Sequence, residues 1–171
     1  MESEIEPSRH RFIETSRHRN ELLLIVTTVI LYTLGVTTRN IPLLAISASL
    51  ALIEKYICYS TVVSDLSNKY QVHLFDLFSA YATHFLIFNS AVNILLIADP
   101  VANYQITNPT DNYSDSVNYT LTILSTQGFG DMIPLTRASK FLQSFQTIDS
   151  IFLTLTLGTY ILTSFVGKQK F

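Results

Sequence analysis

One stretch decides the fold of this chain: SVNYTLTILSTQGFGD, at residues 116–131. Its first part, Ser116–Ser125, is half apolar and too short to cross a bilayer, since a crossing helix needs about 20 mostly apolar residues. Its second part, Thr126–Asp131, alternates Gly128 and Gly130 with larger residues. A short helix and a glycine-rich loop between two apolar stretches predict a re-entrant segment. Because non-helical backbone at membrane depth must be buried in protein or line a wet cavity, we expect an aqueous pathway here.

The rest of the chain reads as an all-α membrane protein. Hydrophobic residues make up 48% of its 171 residues and charged ones only 14%. Two charges inside an apolar stretch, Glu54 and Lys55, are expected to reach the membrane interface by snorkelling. Ser60–Asp76 is expected to be a water-facing connection and Asp99–Ser114 a loop on the opposite side. The apolar stretches predict four transmembrane helices, at Leu22–Thr38, Ile41–Tyr59, Leu77–Ala98 and Phe141–Val166.

Three segments follow from this pattern. Residues 1–20 form a basic N-terminal segment, residues 21–76 hold two peripheral helices and their connection, and residues 77–171 hold the re-entrant stretch between the last two helices. The positive-inside rule predicts a multi-pass protein of the plasma membrane with both termini cytoplasmic. The basic residues that set this orientation are Arg9, Arg11, Arg17, Arg19, Lys168 and Lys170.

The glycine spacing predicts what lines the pathway. Glycine adopts positive φ at no steric cost, so alternation at Gly128 and Gly130 can turn successive carbonyl groups to one side. The carbonyl oxygens of Thr126, Gln127, Gly128 and Phe129, with the Thr126 hydroxyl, would then line an axis. A ring of such oxygens can replace the water shell of a potassium ion. One strand supplies too few ligands, so we expect a fourfold ring of identical chains.

The segment Thr120–Thr136 resembles the pore loop of the potassium channel superfamily, whose filter reads T-V-G-Y-G-D. Thr126 matches the filter threonine, Gly128 and Gly130 the two glycines, and Asp131 the acid that follows. The resemblance implies a homotetrameric potassium-conducting channel with a carbonyl filter, a pore helix and an inner, pore-lining helix. It implies no cofactor beyond the permeant potassium ions.

Two positions depart from the family pattern. Gln127 stands where the family has valine or isoleucine, and Phe129 lacks the phenol oxygen of tyrosine. We expect the Gln127 amide to lie behind the filter and to bond to Thr122, Ser125 or a water, since an unpaired buried amide costs about 1–3 kcal/mol. Thr122, Ser125 and Asp131 form the predicted filter support. The departures leave two alternatives open: a non-selective monovalent cation channel, and a non-conducting membrane sensor or accessory subunit.

The last predicted helix should line the pore below the filter. Ser150 falls where resembling channels often carry a hinge glycine, and Leu162 or Val166 could close the pore by dewetting. Ordinary packing of this helix is the alternative. The predicted lining residues are Ser150, Thr154, Gly158, Leu162 and Val166.

Asp149 is a charge deep in that helix, where it costs about 2.5–3.5 kcal/mol on translocon scales. We expect a polar clamp with Asn93 or Asn89, which are four residues apart and share one helix face. A group near the gate whose protonation biases opening is the alternative. Histidines that could sense pH or simply pack are His10, His18, His73 and His84.

Several function classes have no support in the sequence. We find no Ser/His/Asp order, no metal-ligand spacing and no phosphate loop with its lysine, so we expect no enzyme. A single cysteine, Cys58, excludes an intrachain disulfide. No helix carries arginine at every third residue, which excludes a conventional voltage sensor. The expected partners are further copies of the chain and membrane lipids, not nucleic acid, and an unseen regulatory partner is left open.

Overall fold

The structure of the chain, a computed structural model, describes residues 6–67, 74–107, 109–125, 127 and 131–167. Side chains are described at residues 19–60, 77–107, 109–125, 127, 131–160 and 162. Within these ranges the chain is mostly helical. In order, its elements are α1 (Glu6–Thr37), α2 (Ile41–Ser67), α3 (Leu74–Ala98), α4 (Pro100–Asn103), β1 (Tyr104–Ile106), α5 (Asn112–Leu124), β2 (Met132–Pro134) and α6 (Arg137–Gly167).

A tight turn joins α1 to α2. The N–H of Asn40 donates to the carbonyl of Gly35 at 2.8 Å, and that of Arg39 to the carbonyl of Val36 at 3.2 Å. This pair of bonds is the Schellman helix ending, and it places Arg39 in the left-handed region, at φ 51°. The Asn40 side chain then accepts from the Leu43 N–H at 3.1 Å and so caps the start of α2. One shared turn therefore joins the two helices into an antiparallel hairpin.

Helix α3 lies at the centre and packs against α1, α2, α5 and α6. Its contact with the hairpin is an apolar cluster of Tyr32, Leu44, Ala51 and Leu86. Within the hairpin, Gly35 of α1 permits the close packing of α1 on α2, because a Cβ added there would lie 2.9 Å from the Leu44 side chain. The far end of α3 contributes to a second cluster, which consists of Val92, Leu96, Tyr104, Tyr119, Ile123 and Met132.

Among the described residues, three helices are long and apolar enough to cross a membrane. They are Arg19–Thr37, Ile41–Ser60 and Leu77–Ala98, and they coincide with the first three predicted spans. The fourth predicted span, Phe141–Val166, lies within α6, whose side chains are described only as far as Tyr160 and at Leu162. That span stays a prediction.

The structure adds detail to the predicted connections. The predicted connection Ser60–Asp76 separates the candidate spans Ile41–Ser60 and Leu77–Ala98, and within it α2 continues to Ser67 and α3 begins at Leu74. The predicted loop Asp99–Ser114 contains α4, β1 and the first residues of α5. β1 pairs with β2 as an antiparallel two-stranded sheet, Tyr104 opposite Pro134 and Ile106 opposite Met132. The chain is therefore mostly, but not entirely, α.

Candidate functional site

The short helix α5 begins and ends at well-defined bonds. The Asp111 carboxylate accepts from the N–H groups of Tyr113 and Ser114, both at 2.9 Å, and from the Ser114 hydroxyl at 2.7 Å. These bonds lower the pKa of Asp111, with those from Ser114 contributing most. At the other end, the Gln127 N–H donates to the carbonyl of Thr122 at 2.9 Å. The chain thus leaves the helix in a tight turn, directly before the glycine-rich motif.

Two buried asparagines of α3 hold α5 from behind. Asn93 donates to the Ser116 hydroxyl at 2.9 Å, and Asn89 donates to the Thr120 hydroxyl at 3.0 Å. The side-chain oxygen of Asn89 accepts from the Asn93 amide at 3.0 Å and from the Tyr32 hydroxyl of α1. All five residues are buried, and we call them the asparagine cradle. The cradle connects α1 to α5 through uncharged hydrogen bonds.

Helix α6 contacts the same point of α5. Gln146 is fully buried, and its amide donates to the main-chain carbonyl of Thr120 at 3.1 Å. Thr120 is thus bonded through its hydroxyl to α3 and through its carbonyl to α6. This residue lies six positions before Thr126, so two helices fix the helix that precedes the motif.

A second set of bonds fixes the chain after the motif. The Thr107 N–H donates to the carbonyl of Asp131 at 2.9 Å, next to the β1–β2 sheet. The Asn103 carbonyl accepts from the Leu135 N–H and from the Ser139 hydroxyl, each at 2.9 Å. The Asn103 side chain accepts from the Thr136 hydroxyl at 3.0 Å. The end of the motif and the start of α6 are therefore bonded to the segment that follows α3.

The apolar cluster beneath the sheet completes this support. The rings of Tyr104 and Tyr119 meet edge to face, with their centroids 5.6 Å apart. Burial raises the pKa of the Tyr104 phenol far above its ordinary value, so the ring stays neutral and packs as an apolar group. Ile123 of α5 and Met132 of β2 lie in the same cluster. Both ends of the motif thus rest on one packed layer.

Four residues from three helices form a charged cluster at the middle of α6, and we use that name for them below. The Lys55 ammonium group of α2 bonds to the Asp149 carboxylate. His84 of α3 places Nδ1 2.8 Å from the same carboxylate oxygen and Nε2 3.2 Å from the Ser150 hydroxyl. His84 and Ser150 are fully buried, and the Lys55 and Asp149 side chains are 11% and 21% exposed. The charged cluster thus ties α6 to both α2 and α3.

The charged cluster corrects two predictions. Asp149 bonds to Lys55 and His84, not to the predicted Asn89 or Asn93, because those two amides are occupied in the asparagine cradle. Lys55 does not snorkel to the interface but reaches across to α6. Its neighbour Glu54 does not snorkel either: it is fully buried and accepts from the Ser79 hydroxyl at 3.1 Å.

The predicted filter is described only in part. Thr126 and Gly128–Gly130 lie outside the described residues. The Gln127 side chain is exposed in the single chain. The hydroxyls of Thr122 and Ser125, its predicted partners, donate to the carbonyls of Tyr119 and Thr122 at 2.9 and 3.1 Å. The role of these residues in ion binding stays a prediction.

The predicted lining residues of the inner helix differ in their exposure. Ser150 is buried against His84 and donates to the Gln146 carbonyl at 2.8 Å, so it faces α3 in the single chain, and its place in a pore lining stays a prediction. Thr154 and Leu162 are exposed on the surface of the chain. Gly158 is half-buried, with nothing within 4 Å of a Cβ added there. The Val166 side chain lies outside the described residues.

Sequence reasoning missed four participants in these contacts, namely Tyr32, Lys55, His84 as a partner of Asp149, and Gln146. One signal could have found Gln146, since Gln146, Asp149 and Ser150 lie three and four residues apart and share a helix face. Tyr32 carries no comparable signal, because a tyrosine in an apolar span is usual. Within the described residues, no group of three or more His, Cys, Asp or Glu is placed to hold a metal ion.

Comparison with known proteins agrees with this architecture. A family model described as "Ion channel" (Ion_trans_2) matches residues 51–166, which include α3, α5, the glycine-rich motif and nearly all of α6. No curated protein and no solved structure gives a match. The family match covers more than half of the chain. Within the described residues, three helices are long and apolar enough to cross a membrane. The chain is therefore a membrane protein that belongs to the ion channel family.

Proposed function

We propose that the chain is the pore-forming subunit of a homotetrameric channel that conducts potassium passively through main-chain oxygens of Thr126–Gly130. The family match supports ion conduction. The filter motif stands between α5 and β2, in the position that a re-entrant pore helix and its filter would occupy. Four copies would bring their carbonyl groups to one axis, where they replace the water shell of the ion.

One observation carries this proposal: the chain is anchored immediately before and immediately after the motif. Before it, Thr120 bonds to α3 and α6. At its start, the Gln127 N–H bonds back to the carbonyl of Thr122. After it, Asp131 bonds to Thr107 beside the sheet. A filter needs such anchoring, because ligand positions that move by a fraction of an ångström no longer discriminate between ions.

The helix before the motif adds an electrostatic contribution. The C-terminal end of an α-helix carries a partial negative charge, since its last carbonyl groups have no partner within the helix. α5 ends at Leu124, so this charge lies just before Thr126. It favours a cation beside the proposed filter.

The proposed orientation places both termini in the cytoplasm and α4, α5 and the sheet toward the outside of the plasma membrane. The basic N-terminal residues and the C-terminal lysines support it. α1 and α2 would then pack outside the pore and face the lipids. Gating would come from the filter, α6, membrane tension or a regulatory partner.

Flux through liposomes tests the proposal. Purified wild-type protein should release potassium down its gradient, and Gly128→Ala should abolish this flux because a Cβ opposes the backbone angle that the filter requires. Val101→Ala is the matched control, since Val101 lies on α4 and is 81% exposed. Chemical crosslinking of the same samples should give a tetramer. A wild-type protein that forms tetramers but passes no ion would favour a non-conducting accessory subunit.

A non-selective cation channel is the second candidate, and Gln127 favours it. The amide replaces an apolar side chain of the filter, and it is exposed in the single chain. Reversal potentials measured with potassium on one side and sodium on the other distinguish the two candidates. A low potassium preference that rises in Gln127→Val supports the non-selective channel, and a steep preference in the wild type rules it out.

A further inference from the structure

The structure joins the peripheral helix α2 to the inner helix α6 at one charged contact. α2 packs along α1 and α3. Between α2 and α6 lies a groove of about 650 Å³ with aromatic and aliphatic walls that include Tyr56, Phe88 and Phe152. The Lys55 side chain crosses this groove to Asp149. Among the described residues, the groove leaves little packing between the two helices, and the ion pair links them there.

Separating the two charges of an ion pair in an apolar setting is costly. Lys55 and His84 both lie within candidate membrane spans, where separated charges are poorly solvated. A displacement of α6 that opens the pair takes the Lys55 ammonium group away from its carboxylate partner, whereas apolar side chains tolerate a similar slide. The contact therefore favours one position of α6 over its neighbours.

The contact lies near the middle of α6, where a change in tilt displaces the C-terminal end of the helix. Gln146 and Asp149 hold adjacent turns of α6, one to α5 and the other to α2. Below them, α6 packs on the bundle through Leu157 and Tyr160 against Leu77. A helix rises about 1.5 Å per residue, so a small tilt at Asp149 becomes a larger displacement at its C-terminal end.

We propose that Lys55 is a positioning residue for α6, and that through Asp149 the peripheral helices set the equilibrium between positions of the inner helix. α1 and α2 are then part of the gate and not only a membrane anchor. The inference rests on the proposed function only where it equates positions of α6 with open and closed states.

Charge variants with two readouts test the inference. Lys55→Met and Asp149→Asn each remove the ion pair, and the exchange Lys55→Asp with Asp149→Lys restores it in reverse. The control is Glu54→Gln, a neighbouring buried acid of α2 that bonds to α3 instead of α6. The readouts are open probability in bilayers and the alkylation rate of Leu162→Cys in a Cys58→Ser background, which does not require conduction.

Both single variants should change the open probability and the alkylation rate in the same direction by about tenfold, a typical size for coupling between two sites. The exchange should return both values most of the way to wild type, and Glu54→Gln should leave them unchanged. Single variants that lower thermal stability but change neither readout would overturn the inference and show that the ion pair only stabilises the fold. Alkylation that responds as expected in a protein that passes no ion would refute the proposed function and leave the positioning role standing.

Discussion

The asparagine cradle and the charged cluster both use buried polar side chains of α3, yet they act on different parts of the chain. The cradle holds α5 with neutral amides and hydroxyls, whose donors meet acceptors at 2.9–3.0 Å. The charged cluster holds α6 with an ammonium group and a carboxylate. Neutral hydrogen bonds are short-ranged, and they suit a helix that must not move. Charges in an apolar setting penalise separation over longer distances, so they suit a helix that has more than one position.

The largest effect should come from leaving one charge of the charged cluster without its partner. Asp149→Leu strands the Lys55 ammonium group among apolar side chains, and breaking a buried pair in this way costs about 3–5 kcal/mol. The double variant Lys55→Met with Asp149→Leu removes both charges and should recover at least half of that loss. Denaturant unfolding in detergent measures both. A double variant no more stable than the single one would show that packing of Asp149, not its charge, matters here.

The cradle should give a smaller loss of stability and a different functional change. Asn89→Leu leaves the hydroxyls of Tyr32 and Thr120 without their amide partner, at about 1–3 kcal/mol for a buried polar group left unsatisfied. Because Thr120 lies in the helix before the filter motif, the ratio of potassium to sodium permeability should fall. Reversal potentials measure this ratio.

Tyr32→Phe is the matched control for the cradle, since it removes one hydroxyl and leaves the asparagine in place. Its effect should be smaller than that of Asn89→Leu, and the double variant should lose less stability than the sum of the two, as expected for residues in contact. If Asn89→Leu changed opening and left selectivity intact, the assignment of selectivity to the cradle and of opening to the charged cluster would be wrong.

The contact between α1 and α2 comes next in expected size. In Gly35→Ala the new methyl group meets the Leu44 side chain at 2.9 Å and the Leu44 main-chain nitrogen at 3.1 Å, so the helices must separate. Overpacking of this kind costs about 1–3 kcal/mol. Tyr32 lies one turn earlier on the same face, so selectivity should weaken along with stability. The charged cluster is farther from this point, and the opening equilibrium should change less.

Gly158→Ala is the comparison variant, because a Cβ there has no neighbour within 4 Å in the single chain. Alanine favours a helix interior over glycine by up to about 1 kcal/mol, so stability should stay unchanged or rise slightly. A marked loss would place a neighbouring subunit against Gly158.

The sequence predicts the membrane helices well and their polar contacts poorly. Apolar length alone sets the three spans found here, and the spacing of α5 and the glycine motif places the site within the chain. Which amide meets which hydroxyl depends on helix rotation, and a rotation of one residue exchanges the partners. Asn89 and Asn93 share a face as expected, but that face meets α5, so Asp149 is left to Lys55 and His84. The prediction for Lys55 is wrong because a lysine near a span end ordinarily reaches for water.

The start of α5 should show the smallest effect, because the Asp111 cap is exposed. The N–H and hydroxyl of Ser114 and the N–H of Tyr113 donate to the Asp111 carboxylate and lower its pKa below the ordinary value of 3.8. A lowered pKa in the folded chain means that the carboxylate stabilises the fold fully above the ordinary value. This contribution disappears as the pH falls through the lowered value. Asp111→Ala should therefore lower the thermal midpoint slightly at neutral pH.

Asp111→Asn separates the charge of the cap from its geometry. Asparagine keeps one acceptor oxygen for the N–H groups of the first turn and does not titrate, so its advantage over alanine should be independent of pH. The advantage of the wild type over alanine should shrink as the pH falls below about 4, the region in which aspartate titrates. Thermal midpoints of the three proteins between neutral and acidic pH measure this difference. Parallel curves for all three would mean that the bonds of Asp111 at the head of α5 add nothing through their charge.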